Sequence, residues 1–273
     1  MAGVANFVGL SQHSLMDTLQ LERRDGGIAT IRLNRPEKRN ALSPQMLVEL
    51  ERAFEQLCGD DQVRVIVLEG NGRAFCAGAD LEYLQAMSRY SALENLSDSL
   101  ILERTFRTIY RCPKATVAKV HGPAIAGGCG LATICDFIVA SRQKALFGYS
   151  EVRIGFIPAI VGAYLLRKVG DAIARRLLLS AELISADEAH RIGLVSHVVE
   201  HDQLDSATAE LAEKLAANSA SSIALTKRLL DGMHGMDLDG ALAYAAALNV
   251  IARDTDDCRQ RVAEFLQQSK GSQ

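Results

Sequence analysis

An α/β fold with parallel strand pairing is predicted by three features of the 273-residue chain. Short runs rich in valine and isoleucine end in turn residues, which suits buried strands. Longer stretches repeat apolar residues at helical spacing, and the two kinds of segment alternate.

The opening segment, MAGVANFVGLSQHSLMDTLQ, has no basic region followed by an apolar run. Residues 1–17 therefore read as a loose leader, not as a signal peptide. GIATIRLN (27–34) is the first expected strand. In SPQMLVELERAFEQLC, Ser43 can cap, Pro44 fits the first turn, and Met46, Leu47, Leu50, Phe54 and Leu57 share one face, so a helix follows. VRVIVLEG (63–70) is the next strand, and LENLSDSLILERTFRTIY is a helix that leads past Pro113 into the strand TVAKVHG (116–122).

Residues 120–140, VHGPAIAGGCGLATICDFIVA, have the length of a membrane span and only Asp136 as a formal charge. Pro123, the glycine cluster and the interior acid argue for a strand, a turn and a buried helix. ISADEAHRIGLV shows a capping-box pattern, Ser185 with Glu188, and a glycine stop at Gly193. After about residue 200 no strong strand pattern remains. DQLDSATAELAEKLAAN, ASSIALTKRLLDGM and DTDDCRQRVAEFLQQS read as amphipathic helices that either cap the core or pack against another subunit.

With 48% hydrophobic and 23% charged residues the chain can bury a sizeable core. The net charge of -3 comes from 30 basic and 33 acidic residues spread along it, which leaves no footprint for nucleic acid and favours a small-molecule partner. The six cysteines, Cys58, Cys76, Cys112, Cys129, Cys135 and Cys258, show no C-x-x-C spacing. They read as reduced thiols of a cytoplasmic chain. The phosphate-loop, dinucleotide, zinc-protease and serine-elbow motifs are all missing, and the histidines, His121 and His190 among them, show no metal-ligand pairing. No metal is expected.

Two glycine-rich turns follow strands, FCAGADL after VRVIVLEG and AIAGGCGLATICD after TVAKVHG. A strand that ends in small residues and enters a helix leaves backbone N–H groups unpaired and unshielded. Two such turns can converge on one oxygen, or small residues can simply permit close packing.

LNRPEKRNAL, GRAFCAGADL, HGPAIAGGCGLATICDFIVAS, FGYSEVRIGFIP and ISADEAHRIGLV, in this order and spacing, resemble the enoyl-CoA hydratase/isomerase, or crotonase, superfamily. The likeness spans residues 18–200. It implies a superhelix of repeated β-β-α units, a C-terminal helical region over residues 201–273 that forms a homotrimer or a dimer of trimers, and a coenzyme A thioester as substrate with no prosthetic group. Position by position, it implies that Ala77 and Gly127 supply two oxyanion-hole N–H groups. Gly78, Ala79, Asp80 and Gly128 would border the thioester. Ala41 would line the coenzyme A channel, with Lys38 and Arg39 as phosphate partners or else as solvated loop charges.

Hydratases of this kind carry two glutamates. The resemblance makes Glu151 the second, a general acid/base between water or a substrate carbon and the acyl chain. At the first position this chain has Gly130, and Tyr83, Cys129, Tyr149 and Tyr164 are candidates to replace the missing group only because the sequence places them near the motifs. A further departure is GFIPAIVGAYLLRKVG, where Ala159, Ile160 and Val161 replace a glycine-rich turn. The implied activity is hydration of an enoyl-CoA, of a branched or methylglutaconyl type. The alternatives are isomerisation of a 3-enoyl to a 2-enoyl-CoA by one glutamate, and a homologue that binds coenzyme A without turnover.

Overall fold

The computed structural model describes residues 16–271, so most of the expected leader, residues 1–15, lies outside the described residues. β1 (Leu19–Arg24) and β2 (Ile28–Leu33) form an antiparallel hairpin. β1 was not expected, because in LQLERR only Leu19 is buried and no apolar pattern marks the strand. α1 (Pro44–Cys58) begins where the sequence places it, the Ser43 hydroxyl accepting from the Met46 amide at 3.2 Å, and all five residues of its expected apolar face are buried. β3 (Val65–Gly70) pairs in parallel with β2. α2 (Leu81–Met87) and α3 (Ala92–Tyr110) follow, and α3 leads into β4 (Ala115–Val120), parallel to β3.

β5 (Ala124–Ile125) and α4 (Gly127–Thr133) come next, then β6 (Phe137–Ser141), parallel to β4, and β7 (Leu146–Gly148). The apolar stretch at 120–140 is thus divided among two strands, a short helix and a third strand. No helix among the described residues is long and apolar enough to cross a membrane. α5 (Ala159–Val169) and α6 (Asp171–Ser180) precede β8 (Ile184–Ser185), α7 (Ala186–Arg191) and β9 (His197–Val199), which runs parallel to β6. Only half of the expected capping box forms on α7. The Ser185 hydroxyl accepts from the Glu188 amide at 3.3 Å, but the Glu188 carboxylate turns to Arg176 and Arg191.

Among the described residues the strands make a six-stranded sheet in the order β1-β2-β3-β4-β6-β9 and a three-stranded sheet in the order β5-β7-β8. β2, β3 and β4 of the first sheet are covered on both faces, which explains why they read as unbroken apolar runs. Ile66 and Leu68 of β3 join α1 and α3 in the main core, whereas Val65 and Val67 face the opposite layer. That layer is closed by α8 (Leu204–Ala216), whose Leu204 and Ala212 are buried against the sheet. The helical region apart from the sheet is therefore α9 (Ala220–Met233), α10 (Leu238–Arg253) and α11 (Asp256–Gly271). α10 was missed in the sequence because LDGALAYAAALNVIAR is apolar around most of its circumference and shows no clear stripe.

The expectation of six free thiols is corrected at two positions. Cys58, at the end of α1, and Cys112, just after α3, are joined in a disulfide with their Cα atoms 5.9 Å apart. α1 and α3 pack side by side, and this brings the two ends together. Sequence could not pair them across a separation of 54 residues.

Candidate active site

Three strand ends build the site. Cys76 bridges Ala124 in parallel, and Ala124 and Ile125 pair in parallel with Phe147 and Gly148. The chain therefore leaves the three segments in one direction, and residues 77–80, 126–128 and 149–151 meet at one edge. The bonds are direct: the Cys76 amide donates to Pro123 O at 3.2 Å, Ile125 to Cys76 O at 3.0 Å and Ala126 to Gly148 O at 2.7 Å. Small residues are required by this approach. A Cβ on Gly78, which sits at φ 91°, would stand 2.9 Å from Ile125 O, and one on Gly128 would stand 2.1 Å from Cys76 O. The two glycine-rich turns thus lie side by side, and their small residues permit that close approach.

Which amides are free is decided by the neighbours. Ala126 caps α4 at φ 50° and ψ -123°, a conformation that costs a residue with a Cβ about 1–3 kcal/mol. The first amide to pair inside α4 is that of Gly130, which donates to Ala126 O at 3.0 Å. The N–H groups of Gly127 and Gly128 have no acceptor among the described residues. On the facing turn the expectation needs correction. The Ala77 amide donates to Arg39 O at 3.0 Å and is not available. The free donor lies two residues on, at Ala79. Ala79 forms a parallel bridge with Leu42, in which Leu42 N donates to Gly78 O at 2.7 Å and Asp80 N donates to Leu42 O at 3.0 Å. The Ala79 amide between them points away from Leu42 and has no partner among the described residues.

Glu151 opens a short 3₁₀ turn, Glu151–Ile154, just beyond β7. Its Oε2 is buried and has no hydrogen-bond partner among the described residues. Burial pushes its carboxyl above the ordinary glutamate value, and only its own backbone N–H works against this. Among the four polar residues considered near Gly130, Cys129 and Tyr149 are fully buried. The Tyr149 hydroxyl lies 2.8 Å from Thr133 Oγ1, which itself donates to Cys129 O at 2.8 Å, so the phenol is the donor. Burial pushes the Cys129 thiol up to about 12 and the Tyr149 phenol well above its usual range, so both stay protonated at neutral pH. Tyr164 is half-buried with its ring 5.0 Å from that of Tyr110 and 6.4 Å from that of Phe106. Tyr83 lies on α2 with no polar partner among the described residues.

The loop at residues 35–42 is fastened by residues the sequence reading passed over. Asn40, fully buried at φ 55°, accepts from the Arg35 amide at 2.9 Å and donates to Asn71 O, Ala74 O and Phe75 O at 2.8, 2.9 and 3.2 Å. The Arg35 guanidinium bonds Ala41 O at 2.7 Å and Asp80 Oδ2 at 2.9 Å. Asp80 also caps α2 by accepting from Glu82 N at 3.0 Å. Its buried carboxylate is thus spent within the protein, and so is its backbone, whose N–H donates to Leu42 O at 3.0 Å and whose carbonyl accepts from Leu84 N at 2.9 Å. Lys38 is ion-paired with Glu82. The Arg39 guanidinium is exposed and has no partner among the described residues. His121 and His190 each meet a backbone carbonyl, Gly72 O and Val195 O, both at 2.9 Å. Among the described residues no group of three His, Cys, Asp or Glu is placed to hold a metal ion.

A sequence profile described as enoyl-CoA hydratase/isomerase matches residues 23–272. A Thermus thermophilus protein provisionally named an enoyl-CoA hydratase is 42% identical over 249 residues, which is 91% of this chain and 97% of that one. The short-chain-enoyl-CoA hydratase of Clostridium acetobutylicum is 32% identical over 249 residues, covering 90% and 94%. In three dimensions, the enoyl-CoA hydratase crystal structure from Mycobacterium smegmatis superposes with a TM-score of 0.87 at 34% identity, over 92% of this chain and 96% of that one.

Proposed function

The chain belongs to the enoyl-CoA hydratase/isomerase family, and on that premise we propose that it adds water across the double bond of a 2-enoyl-CoA, with Glu151 as the proton carrier. The observation that supports this best is the buried, unpartnered Oε2 of Glu151 at the edge where the two turns meet. The ionised carboxylate takes a proton from water as the oxygen bonds C3. The electron pair of the double bond moves to the thioester oxygen, where the N–H groups of Ala79 and Gly127 face the developing charge. The Glu151 acid then returns its proton to C2, so one carboxylate serves both halves of the addition.

A second reading rests on the same single carboxylate. Moving a proton from C2 of a 3-enoyl-CoA to C4 needs one base and no water. The relatives' hydratase names favour the first reading. Product analysis with crotonyl-CoA, 3-methylglutaconyl-CoA and 3-hexenoyl-CoA separates the two, and the methylglutaconyl arm tests the branched substrate. A 3-hydroxyacyl product is expected, and turnover of the 3-enoyl substrate alone would sink the hydratase reading. Turnover that Glu151→Gln abolishes ends the case for a binding-only homologue.

For coenzyme A itself, Arg39 is the freer phosphate partner, because Lys38 is already held by Glu82. Arg39→Ala should weaken coenzyme A binding by about threefold at low salt, with a smaller loss for Lys38→Ala. Calorimetric titrations at two salt concentrations check this, and equal affinity for the Arg39 variant and the parent would refute it. Of the expected 201–273 region, α8 belongs to the core, and α9–α11 are assigned to assembly, as a homotrimer or a dimer of trimers. Leu230, Leu238, Leu242, Val250 and Phe265 on α9–α11 are 59–73% exposed in the single chain, more apolar surface than an isolated subunit needs. Sedimentation should give three or six times 29.5 kDa, and a species of one chain mass would remove the assignment.

A further inference from the structure

We propose that Val161 determines how many carboxylates this site can hold, by occupying the space that any side chain at position 130 would need. The inference deepens the hydratase reading and rests on it for its catalytic part. Gly130 is buried in the first turn of α4. A Cβ built on it would lie 2.2 Å from Val161 Cγ1, 2.8 Å from Val161 Cβ and 3.2 Å from Phe106 Cε1. Real side-chain carbons do not approach so closely, so something must give way.

Neither neighbour can do so cheaply. Val161 is 3% exposed in the first turn of α5, where a β-branched side chain has one strongly preferred rotamer. Phe106, on α3, is fully buried in the main core, with its ring 6.4 Å from that of Tyr164 on α5. α4 and α5 are in direct contact, so the isopropyl group is the filling between them. The glycine and the valine are therefore one unit: the first leaves a hole and the second fills it with hydrocarbon.

This unit adjoins the reacting carboxylate. The helix that carries Gly130 is fastened to the segment that carries Glu151: the Ala126 amide donates to Gly148 O at 2.7 Å, and Thr133 Oγ1 lies 2.8 Å from the hydroxyl of Tyr149, two residues before Glu151. The wall beside Glu151 is thus apolar where a second acid would otherwise stand. Glu151 handles both proton transfers because Val161 excludes another group.

The test is a set of substitutions on the full-length protein. Gly130→Ala alone should lower the melting temperature and the rate of crotonyl-CoA hydration, and Gly130→Ala with Val161→Gly should restore both toward the parent. Gly130→Glu alone should cost at least about tenfold in kcat. Combined with Val161→Gly it should regain the rate and acquire a falling limb at high pH in kcat/KM, the signature of a second carboxyl that must be protonated. A Gly130→Ala protein as stable and active as the parent, or a Gly130→Glu protein that shows the second ionisation with Val161 intact, overturns the proposal. So does a double variant in which removing Val161 restores nothing. The parent's own turnover is read first: its absence refutes the hydratase reading, whereas the melting temperatures of the alanine pair test the steric claim independently.

Discussion

Glu151→Gln is expected to lower kcat by about a hundred- to ten-thousandfold while leaving the KM for acyl-CoA nearly unchanged. It is also expected to raise the melting temperature at neutral pH. The amide keeps the shape of the side chain and cannot take a proton from water. The gain in stability follows from the direction of the pKa shift. Burial raises the folded-state value above 4.5, so folding favours the protonated acid. That contribution is fully present below the unfolded-state value and is lost as pH rises through the folded one. Above that point the parent carries a partly dry carboxylate with an unpartnered oxygen, and the variant does not. The melting temperatures of the two proteins should therefore diverge as pH climbs past the carboxylate range and converge in acid. For catalysis the same shift means that kcat/KM rises with pH through an ionisation above 4.5 that disappears in the variant. Thermal melts and steady-state rates across pH check both, and an unchanged kcat would take Glu151 out of the mechanism.

Asn40→Ala should be the most damaging change away from the reacting groups, costing about 3 kcal/mol or more in urea unfolding. One side chain serves four backbone groups, the amide of Arg35 and the carbonyls of residues 71, 74 and 75. Truncation would leave the buried ones without partners, and alanine is poorly suited to the φ of 55° that asparagine tolerates. Catalysis should fall too, because Asn40 ties the loop that supplies Arg39 O and Leu42 to the turn that presents Ala79. Asn40→Asp keeps the acceptor for Arg35 but cannot donate to three carbonyls, so it should rescue little. A loss under about 1 kcal/mol would mean that water replaces the side chain at little cost.

What could be read in the sequence follows from where each residue's partners lie. β2, β3 and β4 were legible because hydrocarbon covers them on both faces, and α1 because Ser43, Pro44 and its apolar face agree. β1 was not legible, since five of its six residues are exposed. β5 and β8 are two residues each, too short for any period to show. The close approach of the two turns was legible in their small residues. The choice between Ala77 and Ala79 was not, because it is made by Arg39 and Leu42, more than 35 residues earlier in the chain. Asn40 gave no signal at all: an asparagine in a polar loop looks like any other until its four contacts are seen. Gly130 was recognised as a departure, but its partner Val161 appeared only as extra bulk in a different segment.

The amides of Ala79 and Gly127 belong to the backbone, and this bears on how such a site can change over generations. Apart from proline, no codon removes a main-chain N–H, so nearly every point mutation at these two positions leaves the donor in place. The proton-handling groups, in contrast, are side chains, and single replacements at 130, 151 or 161 rewrite them. On the proposed mechanism, a chain built on this scaffold would keep its capacity to steady a negative oxygen almost intact through changes at 130, 151 or 161 that alter its proton chemistry.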